Sequence, residues 1–107
     1  MAEDAIPLLV WTTFPEPESA RRIARTLVEE RFAACANVLG GVESVYRWQG
    51  KVESAAEVWV LFKTTREAYP RLETRLKALH PYELPEIIAL KPDCGLPAYL
   101  QWIAENC

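Results

Sequence analysis

The chain has 107 residues; half are apolar, a quarter are charged, and the net charge is −3. That size fits one domain spanning residues 1–107, and the apolar fraction is too high for intrinsic disorder. A pI near 5.2, with no basic block beyond Arg21-Arg22, argues against nucleic-acid binding, which needs a basic footprint. The longest apolar candidate, Ile6 to Phe14, is broken by Pro7, Thr12 and Thr13, so no membrane span is expected. Cys35, Cys94 and Cys107 are widely spaced and odd in number, which reads as free thiols in a reducing compartment. The acidic start, Met1-Ala2-Glu3-Asp4, lacks the features of a signal peptide, and a cytoplasmic location is expected.

In chain order, Leu8-Leu9-Val10-Trp11 reads as a buried strand ending in Thr12-Thr13. Pro15 and Pro17 then block regular structure, and Ser19 is a candidate helix cap. Ala20, Ile23, Ala24, Leu27 and Val28 share one helical face, with Arg21, Arg22, Arg25 and Glu29 opposite. Cys35 to Trp48 reads as a strand, with Gly40-Gly41 predicting a bulge or bend. Gln49-Gly50 suits a two-residue hairpin turn into a partner strand, Lys51 to Thr64. The apolar run Val58 to Phe62 places the base of that hairpin in the interior, while the more polar half from Val52 to Glu57 should project.

Tyr69, Leu72, Leu76 and Leu79 predict a second helix, with Pro70 in its first turn and Pro81 forcing its end at His80. Ile87-Ile88-Ala89-Leu90 reads as a buried strand, and Pro97 opens a last helix carrying Leu100 and Ile103 on one side. The order β-α-β-β-α-β-α gives an α+β fold, a ferredoxin-like βαββαβ sandwich with an extra C-terminal helix. Both main helices then cover one sheet face. The other face would expose Val, Trp and Tyr side chains, which favours a closed homo-oligomer. Thr12-Thr13 and Thr64-Thr65 form a weak internal echo, each pair ending a strand before a helix.

Four segments carry a resemblance: Ala34-Cys35-Ala36-Asn37, Ser44-Val45-Tyr46-Arg47-Trp48-Gln49-Gly50-Lys51, Phe62-Lys63-Thr64 and His80-Pro81-Tyr82-Glu83-Leu84-Pro85-Glu86-Ile87. The sequence resembles the CutA divalent-cation-tolerance family from about Leu8 to Ile103. That resemblance implies a homotrimer, a link to copper and other divalent cations, and a non-enzymatic role. It also implies an architectural likeness to trimeric PII signalling proteins, hence an alternative role as an adaptor for a small anionic ligand or a partner protein. Some members carry a cysteine where this chain has Thr12, so a thiolate ligand proposed from them is absent here.

The candidate metal ligands, for Cu(II) or another divalent cation, are His80, Glu83, Glu86 and Cys35. His80 is the one imidazole; its alternative role is to cap the helix it ends. Glu83 and Glu86 can converge only through a bent loop because Pro85 opposes a helix there, and salt bridges are their other reading. The ligand-cleft candidates are Lys63, Tyr46, Trp48, Lys51 and Tyr82. Lys63 could receive an anion or act as an edge lysine. Tyr46, Arg47, Trp48 and Lys51 form an aromatic and cationic cluster suited to an anion, a partner or a subunit interface. No catalytic triad or phosphate-binding glycine loop is present in the sequence.

Overall fold

The structure, a computed structural model, describes residues 5–107. Its elements are β1 (Pro7–Phe14), α1 (Pro17–Glu29), β2 (Cys35–Trp48), β3 (Lys51–Thr65), α2 (Tyr69–Leu79), β4 (Ile88–Leu90) and α3 (Pro97–Glu105). The four strands form one antiparallel sheet in the order β2-β3-β1-β4. Among the described residues no helix is long and apolar enough to cross a membrane.

Alternation along the two central strands sets the layers. Val10 and Phe14 of β1 and Val58, Val60 and Phe62 of β3 point to one side. There they meet Ile23 and Leu27 of α1 and Leu72 and Leu76 of α2, all fully buried. Both long helices therefore cover one sheet face. The opposite face carries Leu9, Trp11, Leu39, Trp59 and Leu61, with Trp11 and Trp59 in a tilted ring pair at 4.9 Å. The short helix α3 touches this face, burying Ile103 and bringing Tyr99 to Lys63.

Helix α1 departs from expectation at its start. Pro17 is its first residue and Ser19 lies inside it. The cap is Glu16, whose carboxylate accepts from the amides of Glu18 at 2.7 Å and Ser19 at 3.1 Å. A proline costs nothing at a position whose N–H has no helical partner. The Ser19 side chain first, and then these amide bonds, lower the Glu16 carboxyl pKa. At the other end Phe32 N–H donates to Leu27 and Arg31 N–H to Val28, a Schellman closure. Arg31 occupies its left-handed position at φ 64°, a place that favours glycine.

The hairpin follows its sequence closely. Gln49 and Gly50 both have positive φ, 50° and 81°, as a type I′ turn requires. The register slips between Leu39 and Val42, with Gly41 at φ 53°, which is the bulge that Gly40-Gly41 predicted. Beyond the pair Phe14–Val58, β2 and β3 have only each other as strand partners among the described residues. This arm lengthens the molecule to 44 × 26 × 22 Å and leaves Val45 and Val52 about two-thirds exposed. Strand β4 is shorter and more open than its apolar run suggested. It lies at the sheet edge on β1, and only Ala89 faces the helices. Ile88 and Leu90 remain half-exposed.

The threonine echo has a structural counterpart, since all four threonines are buried and three spend their hydroxyls on local ties. Thr64 donates to the Phe32 carbonyl at 2.7 Å, Thr65 accepts from the Ala68 amide at 3.2 Å, and Thr12 lies 3.3 Å from the His80 ring.

Replacing Arg31 by glycine removes a left-handed backbone penalty of about 1 kcal/mol at the cost of one long contact to the Glu105 carbonyl, 3.3 Å. Arg31→Gly should raise the midpoint of guanidinium unfolding. A lowered midpoint would show that the Glu105 contact outweighs the strain.

Candidate functional site

Helix α2 ends where Pro81 denies its predecessor a helical conformation, and His80 turns to φ −68°, ψ 137°. That turn sends the imidazole inward. Nε2 lies 2.8 Å from the Thr13 carbonyl, which can only accept, so Nε2 carries the proton. Nδ1 then accepts the Tyr82 backbone N–H at 3.1 Å. The ring stacks on Phe14 at 4.5 Å and 14°, and the Tyr82 ring tilts over it at 5.0 Å. Burial lowers the imidazole pKa below its ordinary 6.5, and the Thr13 bond and the Glu57 charge only partly oppose this.

This corrects the expectation for His80. Both nitrogens are committed inside the chain, and the Nδ1 lone pair would have to release Tyr82 before it could reach a metal. His80 does not cap a helix carbonyl with its ring either; its backbone N–H does so, donating to Leu76. The side chain fixes the segment that follows.

That segment forms one wall of a cleft of about 570 Å³. Tyr82, Glu83, Leu84 and Glu86 stand on this side. Facing them are Ser44, Val45, Tyr46 and Trp48 of the projecting arm, with Thr13, Glu57 and Trp59 at the sheet. The Tyr82 hydroxyl donates to Glu57 Oε2 at 2.6 Å and ties the two walls together. Burial, reinforced by the Glu57 carboxylate, holds the Tyr82 phenol well above its ordinary value, so it remains a donor.

The structure thus gathers five of the expected site residues: Glu83, Glu86, Tyr46, Trp48 and Tyr82. The others lie elsewhere. Cys35 pairs with Lys63 across β2 and β3, far along the strands from the hairpin arm, and its Sγ lies 3.9 Å from Asn37 Oδ1. Lys63 donates to the Tyr99 hydroxyl at 3.1 Å under α3. Lys51 sits at the arm's tip, and Arg47 reaches the Gly50 carbonyl at 3.5 Å. The ligand set His80, Glu83, Glu86 and Cys35 is therefore not assembled. Among the described residues no three His, Cys, Asp or Glu side chains group closely enough to hold a metal ion.

Among the described residues the cleft instead presents three carboxylates, Glu57, Glu83 and Glu86, and no lysine, arginine or histidine. Its field favours cations. Glu57 is the member that sequence reading missed. The residue lies in the polar half of β3, and alternation gives the face it occupies without revealing that a loop 25 residues later closes over it.

Residues 8–106 match the CutA1 divalent ion tolerance protein family. The chain is 52% identical over 98 residues to the divalent-cation tolerance protein CutA of Thermus thermophilus, covering 92% of this chain and 95% of that protein. It superposes on the crystal structure of CutA from Xylella fastidiosa with a TM-score of 0.91 at 48% identity, covering 94% and 97% of the two chains. The chloroplastic protein CutA of Arabidopsis thaliana is 38% identical over 99 residues; the match covers 92% of this chain and 54% of that protein. The chain thus spans about half the length of that plant relative.

Because burial lowers the His80 pKa, the folded chain takes up this proton less readily than the unfolded chain. The group's contribution to stability is complete above 6.5 and declines as pH falls from there towards the lowered folded value. His80→Gln should cost about 1–3 kcal/mol at neutral pH and should lose this part of the acid sensitivity. Denaturant unfolding of both proteins across that range checks this; an equal decline in the variant would contradict it.

Proposed function

This chain belongs to the CutA1 divalent ion tolerance family, and from that membership we propose that it takes divalent cations, Cu(II) first, at the acidic cleft between arm and loop. The proposal carries with it a cytoplasmic homotrimer of ferredoxin-like subunits that acts by binding rather than by catalysis. One observation carries the site assignment: Glu57, Glu83 and Glu86 line a cleft with no cationic side chain among the described residues. Since the described residues of one chain supply no closed set of ligands, a second chain completes the coordination. Oxygen donors without imidazole hold copper modestly and exchangeably, which suits tolerance better than permanent storage.

The trimer draws support from surface chemistry. Leu39, Trp59, Ile88 and Leu90 are substantially exposed on the sheet face opposite the long helices, and Val45 and Val52 are exposed on the arm. Apolar surface of that extent finds cover in a closed assembly. The anionic-ligand reading loses its footing here, because Lys63, Lys51 and Arg47 stand outside the cleft. His80, with both ring nitrogens bonded inside the chain, is not free to act as a general base in the cleft.

Light scattering should give about three times 12.2 kDa; a mass of one subunit would refute the assembly. Calorimetric titration with Cu(II) should show affinity reduced at least about tenfold in Glu83→Gln/Glu86→Gln, since even outer-shell changes reach that size. His80→Ala should be destabilised, and should weaken copper binding less than Glu83→Gln/Glu86→Gln does, because the loop it ties shifts while the carboxylates remain. The reverse pattern would overturn the site assignment.

A further inference from the structure

We propose that the same cleft accepts an aliphatic polyamine, a chain of methylenes carrying two or three ammonium groups. This goes beyond the metal reading and does not depend on it, because it rests on ring faces and dispersed charge instead of converging oxygen donors.

Three features of the cleft favour such a ligand. First, its charge is negative and spread: Glu57, Glu83 and Glu86 line it, yet among the described residues no three acidic, histidine or cysteine side chains come close enough to hold one ion. Spaced carboxylates match spaced ammonium groups better than a point charge. Second, Tyr46, Trp48 and Tyr82 line the same walls. Aromatic faces attract ammonium groups and pack methylene stems, whereas a hydrated divalent ion gains little from them. Third, a volume near 570 Å³ is far larger than a bare ion fills and lies in the range of small-molecule sites. The Tyr82–Glu57 bond holds the two walls in place before any ligand arrives, which reduces the ordering cost of binding.

Spermidine, putrescine, tetramethylammonium and magnesium are titrated by calorimetry at matched ionic strength into the full chain, stripped of trace metals beforehand with a chelator that is then dialysed away. Spermidine should bind most tightly, and magnesium should not displace it. In the wild type its addition should shift the Trp48 indole N–H signal in NMR spectra. Trp48→Ala should weaken spermidine binding about fivefold or more and Trp48→Phe much less. Cu(II) is titrated separately into the wild type, so failure of either cation reading is visible apart from the other. Displacement by magnesium at equal ionic strength, tighter binding of tetramethylammonium, or an unmoved Trp48 signal would overturn the proposal.

Discussion

The imidazole of His80 connects the core to the cleft. It donates to a β1 carbonyl, accepts the first amide of the loop beyond Pro81, and lies flat against Phe14 in the core. Two backbone segments separated by 67 residues are thereby joined through one ring. A buried polar group is stable only when its hydrogen bonds are made, and here both ring nitrogens have partners. Burial keeps the ring neutral, which preserves one donor and one acceptor nitrogen; a protonated ring could not accept the Tyr82 amide. Charging this group would break the link it makes.

Placement of Tyr82 follows from that link. Its ring covers the imidazole and its hydroxyl reaches Glu57 at the root of the arm. The loop from Tyr82 to Glu86 is stiffened by Pro81 and Pro85 and tied at its start, so Glu83 and Glu86 stand on a wall of defined position. Core packing, loop conformation and the electrostatics of the cleft are thus successive consequences of one geometry. The cationic side chains that could have neutralised the cleft are engaged elsewhere: Lys63 with Tyr99, Arg47 with the turn carbonyl.

Much of the fold was legible because its signals are local. The periodicity of α1, the glycines of bulge and turn, and the helix end before Pro81 each follow from neighbouring residues, and the structure has all of them. The site was legible only in part. Glu83 and Glu86 share a short loop with Tyr82, so proximity was readable. Whether His80 faces outward as a ligand or inward as a tie depends on Thr13 and Phe14, which no local pattern connects to it. Cys35 and Lys63 were grouped with the site as residues of a resembling motif; strand register puts them opposite each other, well away from the arm. The exposure of Ile88 and Leu90 was missed because an apolar run does not distinguish a buried strand from an edge strand that leaves one face open.

Under the proposed function, cations are held by the carboxylates of the cleft while His80 remains an internal tie. Anomalous diffraction at the copper edge, on crystals soaked in Cu(II), tests it most directly. The account predicts density within bonding distance of Glu83 or Glu86, with the His80 ring still bonded to Thr13 and Tyr82. Copper on His80, with the ring turned away from Thr13, would contradict it.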